Sequence, residues 1–190
     1  MLTDAGAGWK GARPALYDAG MDVLVATTGV LSPGPVVEFV RRLLDERGKC
    51  TVTTVIEVPR SFLEELRGDT WHPLEDGGSA SWTEAEDALI ARYVEERGRR
   101  LTEPLVAALD AAGITSKAVY REGEDPAVTI SRLARDIDAS VIVLGSTRQI
   151  FDQSAWESVS ARVMLESGRP VLVVPPAPKE AIEDTQAPAR

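Results

Sequence analysis

The chain has 190 residues, of which 44% are hydrophobic and 27% charged, and this favours one sizeable domain with a substantial core. The formal net charge of -9 argues against binding to nucleic acid, which needs clustered Lys and Arg. Cys50 and His72 are each the sole residue of their kind, so a disulfide framework is excluded, and neither a metal site nor a histidine-based triad is expected.

No apolar stretch approaches the ~18 residues of a membrane span. Residues 1–20 lack the apolar core of a secretory signal and are predicted to be a flexible N-terminal arm. Residues 177–190 repeat Pro, Ala and charge and are predicted to be a disordered tail. The ordered domain is expected over residues 21–176, in a cytoplasmic protein that contacts no membrane.

Short apolar runs alternate along this domain with segments of helical periodicity. Continuous apolar runs of this kind are typical of parallel strands covered on both faces. The predicted strands are residues 21–27, 51–56, 114–120, 140–144 and 170–175. The alternation predicts an α/β fold with a mainly parallel sheet and helices on both faces. Ligands of such sheets bind beyond the carboxyl ends of the strands, which places the candidate site at residues 27–30 and 145–160.

Local signals mark the ends of the predicted helices. Pro33 follows Ser32 as a helix start, and Asp125 precedes Pro126 in the same way. Thr83 with Glu86 forms a capping-box pattern, which predicts a helix from Thr83 to Gly113. Pro104 is expected to kink that helix.

Residues 60–82 are the least regular part of the domain, and two interpretations stay open. The segment is either a lid or binding loop, or it is disordered. Trp71, Trp82 and Trp156 either cover a ligand or partner, or they pack under long loops.

In five segments the chain resembles the universal stress protein family. The matching segments are Val23–Ala26, Glu122–Pro126, Val141–Ser146, Glu157–Val163 and Pro170–Pro175. The resemblance spans nearly the whole domain and implies a five-stranded sheet of order 3-2-1-4-5. This is the Rossmann-like arrangement of the adenine nucleotide alpha hydrolase group.

Nucleotide-binding members of this family hold ATP with Gly-x-x-Gly, nine further residues, and Gly-[Ser/Thr]. Glycines let the backbone approach phosphate, and the helix that follows offers unpaired N–H groups. Here Gly145 and Ser158 match, but Arg148 and Glu157 replace two glycines, the loop is one residue shorter, and Thr28 replaces the usual Asp. The positions that the resemblance assigns to a nucleotide are Thr28, Gly29, Val55, Gly145, Ser146, Arg148, Ser158, Val159 and Ser160.

Glu157 is the candidate that blocks the site. A carboxylate at a helix N-terminus is stabilised by roughly 0.3–1 kcal/mol and takes the place of a phosphate. Two like charges ~4 Å apart repel by ~1 kcal/mol in water and ~4 kcal/mol near a protein surface. Arg148 either contacts phosphate or pairs with Glu157 and closes the site. We therefore expect ATP, or another adenine nucleotide, to bind weakly or not at all.

The last predicted strand indicates a partner. Val171, Leu172, Val173 and Val174 form an apolar strand at a sheet margin, where edges invite pairing. The resemblance implies an antiparallel homodimer through this strand. Ser158 and Ser160 have no histidine base nearby in the sequence, so no enzymatic activity is expected.

The sequence thus predicts a stress-response binding protein with a degenerate nucleotide site, acting as a homodimer through an unidentified protein partner or small ligand. The alternative is an ATP/AMP-binding sensor that uses a reshaped phosphate loop. An ATP-pyrophosphatase of the same fold group is the least favoured, because Thr27–Ser32 lacks the Ser-Gly-Gly-x-Asp-Ser loop.

Overall fold

A computed structural model describes residues 20–59, 61, 79–145 and 158–175, and for residues 79–86 it describes the backbone alone. Within these residues, five strands alternate with four helices. The elements are β1 (Val23–Ala26), α1 (Pro33–Leu43), β2 (Cys50–Ile56), α2 (Ser79–Ala111), β3 (Ser116–Glu122), α3 (Pro126–Asp136), β4 (Val141–Gly145), α4 (Val159–Glu166) and β5 (Val171–Val174). The predicted arm, except Gly20, and the predicted tail lie outside the described residues.

The strands form one sheet of order β3-β2-β1-β4-β5, and every neighbouring pair is parallel. This confirms the predicted strand order. The chain runs outward from β1 to β3 on one side and then returns to build β4 and β5 on the other. Ala26 at the end of β1 therefore pairs with Thr53 on one side and Leu144 on the other. The sheet's switch point, where ligands bind in folds of this type, lies between β1 and β4.

Both faces of the sheet are buried, because successive side chains of a strand point to opposite faces. Val23 and Val25 pack with residues of α1 and α2, such as Val36 and Leu109. Leu24 and Ala26 pack on the opposite face with residues of α3 and α4. A strand buried on both faces needs apolar residues at every position, which explains the unbroken Val-Leu-Val-Ala run.

The amino end of α2 differs from the prediction. The helix begins at Ser79, so Thr83 lies inside it and the predicted capping box is wrong. Residues 79–82, which the sequence placed in the irregular segment, are helical. No proline or glycine interrupts residues 79–82, so nothing in the backbone opposes an earlier start. The helix is continuous past Pro104, and a kink at that residue stays a prediction.

The start of β3 is also two residues later than predicted. Gly113, with a positive φ of 76°, ends α2 in a Schellman motif. In that motif the Ile114 N–H donates to the Leu109 carbonyl at 2.9 Å, and the Gly113 N–H donates to Asp110 at 2.9 Å. The backbone of Ile114 is thus engaged with the helix, and the strand begins only at Ser116.

Candidate functional site

A cavity of about 570 Å³ opens at the switch point, and we call it the switch-point cavity. It is formed by the carboxyl ends of β1, β2, β4 and β5 and by the amino-terminal parts of α3 and α4. Its described lining consists of Ala26, Thr27, Thr28, Val30, Leu31, Thr54, Val55, Pro126, Ile130, Leu144, Gly145, Val159, Ser160 and Val174. The location is the one that the alternation of strands and helices predicted.

The structure brings most of the described candidate residues together. Those that line the cavity are Thr28, Val55, Gly145, Val159 and Ser160. Gly29 lies in the adjoining turn with a φ of 88°, and a β-carbon there would come within 2.9 Å of Leu101 Cδ2. Ser146, Arg148 and Glu157 lie outside the described residues, so the proposed pairing of Arg148 with Glu157 stays a prediction.

Sequence reasoning missed the contribution of α3 to this cavity. Pro126 and Ile130 form one wall, although they follow β3 and are distant in sequence from β1 and β4. The available signal was the position of Pro126 at a helix start, because the first turn of a crossover helix lies at the carboxyl edge of a parallel sheet. Thr54, next to the predicted Val55, was missed as well.

The described lining of the switch-point cavity carries no ionisable side chain. Most of it is aliphatic, and its polar side chains are the hydroxyls of Thr27, Thr28, Thr54 and Ser160. The Thr27 hydroxyl is already engaged, because it accepts from the Gly29 N–H at 3.0 Å. This wall therefore favours ligands with apolar surface and a few neutral hydrogen-bonding groups.

The first turn of α4 borders the cavity. Ser158 is the N-cap, with extended backbone, and its hydroxyl accepts from the Ala161 N–H at 3.3 Å. The Ser158 hydroxyl also lies 3.2 Å from the Ser160 hydroxyl. Both hydroxyls are thus engaged at the helix start, and the Ser158 hydroxyl already satisfies one of the first N–H groups of the helix, that of Ala161.

An ion pair joins the starts of α3 and α4. Arg162 lies 3.0 Å from Asp125 Oδ1 through Nη1 and 2.8 Å from Oδ2 through Nη2. Its Nε donates to Glu166 at 3.0 Å. The hydrogen bond from Arg162 lowers the pKa of Asp125, and its bonds to Asp125 and Glu166 raise the pKa of Arg162. This arginine is already paired with two carboxylates.

An adenine nucleotide fits these residues only in part. The volume and the aliphatic wall, with Val55 and Ile130, suit a nucleobase. Thr28 supplies no carboxylate for the ribose hydroxyls, and the described lining supplies no cation for phosphate. The described half of the site therefore suits the base of a nucleotide better than its phosphates.

Neither a metal centre nor a membrane span is found in the part of the chain that the structure describes. Within that part, no three His, Cys, Asp or Glu side chains are grouped so that they could hold a metal ion. Nor is any of its helices both long and apolar enough to cross a bilayer.

Known proteins share this architecture. No curated protein sequence matches the chain. Among solved structures, the hypothetical protein MJ0577 is 19% identical with a TM-score of 0.53, over 82% of this chain and 95% of that one. A universal stress protein in complex with cAMP is 18% identical with a TM-score of 0.53, over 84% and 99%. An Arabidopsis thaliana family member with AMP bound is 16% identical with a TM-score of 0.47, over 86% and 97%.

The model of the universal stress protein family matches residues 21–175, which is most of the chain and includes every described strand and helix. The two solved structures with TM-scores of 0.53 support the same fold. The chain therefore belongs to the universal stress protein family.

Proposed function

We propose that this protein is a non-enzymatic binding protein of the family, whose switch-point cavity takes a small, largely apolar and uncharged ligand in place of ATP. The observation that carries the proposal is the absence of any ionisable group from the described lining of the cavity. A cavity of about 570 Å³ falls within the range of roughly 300–1,000 Å³ that is usual for small-molecule sites.

The energetics favour an uncharged ligand. Burying a charge without a partner is costly, whereas apolar surface gains about 25 cal/mol for each Å² removed from water. The triphosphate of ATP would need cations or bare backbone N–H groups, and the sequence puts Glu157 at the position of a phosphate-binding glycine. A neutral ligand with an apolar body would meet none of these costs.

The arrangement of hydroxyls supports a binding role over catalysis. A serine nucleophile needs a nearby base that removes its proton. Ser158 and Ser160 contact each other and the start of α4, and no described residue of the cavity wall can act as that base.

The proposal includes a homodimer formed through β5. This strand pairs only with β4 and is at one end of the sheet, so its other edge is open in the described chain. Val171, Leu172 and Val173 are each only partly buried there. Antiparallel pairing with a second copy would cover these side chains and give hydrogen-bond partners to the backbone N–H and C=O groups of the open edge.

A nucleotide sensor is the second candidate. It is favoured by the first turn of α4, whose N–H groups point to the side of the sheet where the cavity opens. One structural neighbour is a complex with cAMP, which has a single phosphate. A monophosphate places less negative charge near Glu157 than a triphosphate does.

A ligand screen tests the proposal. We expect thermal shifts with uncharged apolar metabolites and none with ATP, ADP, AMP or cAMP, because a bound ligand stabilises the folded state by mass action. The exposed Thr28 at the cavity rim permits a filling variant, Thr28→Trp, which should abolish any shift. The exposed Thr115, before β3, gives the matched control Thr115→Trp, which should retain it. Selective stabilisation by a nucleotide would favour the sensor instead.

A further inference from the structure

The two edge strands of the sheet differ in chemistry. The strand β3 exposes Lys117, Arg121 and Glu122, and charged side chains of this kind keep an edge strand from pairing with another chain. The strand β5 reads Val-Leu-Val-Val and carries no charge. Within the described chain, β5 is therefore the one edge that a strand of another molecule can extend without burying a charge. The β5 strand of a second copy, which is equally apolar, meets this requirement.

Antiparallel pairing of two β5 strands determines what lies beside them. The two-fold axis then stands perpendicular to the sheet, so each face of one sheet continues into the same face of the other. The helices α3 and α4 cover one of these faces, where Val163 of α4 is buried. On this face α4 is the outer helix, since it contacts β5 whereas α3 contacts β2. The two copies of α4 therefore lie on the same face, one on each side of the axis, and run in opposite directions.

Met164 faces the axis from α4. Successive residues of an α-helix are turned by about 100°, so Arg162 and Met164 lie on opposite sides of α4. Arg162 faces α3, where it pairs with Asp125. Met164 therefore faces away from α3, toward the open edge of β5, and it is 49% exposed. An apolar side chain that is half in water gains free energy when a partner covers it.

Met164 also lies level with the middle of β5. Val159 and Val174 both line the switch-point cavity, so the start of α4 is level with the end of β5. Five residues of helix span about 7.5 Å and two residues of strand about 6.6 Å, which places Met164 level with Leu172. Strands that pair over their full length have the two-fold axis at their middle, between Leu172 and Val173. Each Met164 is thus placed near the axis.

Given the β5 homodimer of the proposed function, we propose that α4 is the second element of the interface and that the two Met164 side chains contact each other across the two-fold axis. Strand pairing supplies backbone hydrogen bonds, which any unprotected edge strand can form. The Met164 contact adds a side-chain requirement that only α4 of another copy meets at this place. A methionine suits such a contact, because its flexible thioether packs against an irregular surface.

A charge at Met164 tests the contact. Met164→Lys should raise the dissociation constant of the dimer about 10- to 100-fold in sedimentation equilibrium, because the dimer would bury two ammonium groups side by side. The variant should keep the circular dichroism of the wild type, since the residue is half exposed in the single chain. Met164→Leu keeps an apolar side chain and should dimerise like the wild type. Leu89→Lys is the control for an added surface charge, because Leu89 is exposed on α2, which contacts β2 and β3 and not the β5 edge.

A cysteine at the same position gives a readout that does not depend on charge. Met164→Cys should be joined into a covalent dimer by a short bis-maleimide, because the two thiols lie on the same face near the axis. Leu89→Cys should not be joined under the same conditions. The native Cys50 is 2% exposed and contributes no cross-link.

Two results would overturn this inference while leaving the β5 pairing intact. These are a dimer that is lost in Val173→Lys but unchanged in Met164→Lys, and the absence of a covalent dimer in Met164→Cys. If another part of the chain covers Met164 instead, Met164→Lys will lower the free energy of unfolding and leave the dissociation constant unchanged. A wild-type protein that is monomeric would contradict both this interface and the homodimer of the proposed function.

Discussion

Arg162 and Asp125 form a two-point ion pair, with nitrogen–oxygen distances of 3.0 and 2.8 Å, across the two helices that border the switch-point cavity. Asp125 is at the same time the N-cap of α3, where it accepts from the N–H groups of Ala127 at 3.0 Å and Val128 at 3.3 Å. One carboxylate thus holds the start of α3 and ties it to α4, 37 residues away. The pair thus links two walls of the cavity.

Replacing Asp125 should destabilise the fold in a pH-dependent way. The pKa of Asp125 lies below its ordinary value of 3.8 in the folded protein, chiefly because of the hydrogen bond from Arg162. Its stabilising effect is therefore full at neutral pH and is lost as the pH falls through the lowered pKa. Urea unfolding should show Asp125→Ala less stable than the wild type at neutral pH, with a difference that shrinks in acid.

Asp125→Asn is the matched control, because asparagine caps a helix as well as aspartate does but forms no ion pair. At neutral pH, Asp125→Asn should lose less unfolding free energy than Asp125→Ala does. Equal stability of wild type and Asp125→Ala at neutral pH would show that the ion pair and cap contribute nothing.

Gly98→Ala should lower stability although alanine is the better helix former. A β-carbon at Gly98 would lie 2.4 Å from Cγ of Tyr120. Overpacking costs about 1–3 kcal/mol, while the change of propensity gains at most ~1 kcal/mol, so a net loss is expected. Gly34→Ala in α1 is the control, because nothing lies within 4 Å of its β-carbon, and it should be neutral or stabilising. Chemical denaturation of both variants measures the contrast, and a stabilised Gly98→Ala would contradict the packing.

Val173→Lys should disrupt the proposed dimer. A charge on the open edge of β5 would have to be buried between two copies of an apolar strand. Light scattering after size exclusion should show monomer or aggregate for this variant and dimer for the wild type. Ala118→Lys, on the opposite edge strand β3, is exposed and should leave the dimer intact. A dimer that persists in Val173→Lys would place the interface elsewhere.

Cys50 should react slowly with thiol reagents in the native protein. It is 2% exposed, and burial raises the pKa of its thiol to about 11, so almost none of it is thiolate at neutral pH. Because the chain has one cysteine, the labelling rate reports this site alone. Native protein should label far more slowly than protein in urea. Equal rates in the two conditions would mean that the amino end of β2 opens freely.

The sequence predicted the fold well because its decisive signals are local. Unbroken apolar runs such as residues 23–26 occur where a strand is buried on both faces, and the crossover rule then limits the topology. The predicted starts of α2 and β3 were wrong, because at each of them a local sequence pattern competes with the hydrogen bonding of the backbone. Thr83 has a good capping pattern, yet α2 starts at Ser79, and Ile114 is apolar but its N–H is taken by the end of α2.

The chemistry of the site was harder to predict than the fold, because it depends on contacts between residues that are distant in the sequence. The Asp125–Arg162 pair and the wall formed by Ile130 arise only after the sheet is assembled. Thr54 has the pattern of an ordinary strand residue, and only the structure shows that its buried hydroxyl has no hydrogen-bond partner among the described residues. Such features have no local sequence signature. The motif candidates Gly145 and Ser160 do lie at the cavity, and their role in holding a nucleotide stays a prediction.

Calorimetric titration of the wild-type protein with ATP tests the central claim most directly. The described lining of the switch-point cavity is uncharged, and Glu157 replaces a glycine of the family's motif. We therefore expect no saturable heat of binding at micromolar ATP. Saturable one-to-one binding with low-micromolar affinity, abolished by Thr28→Trp, would contradict the account.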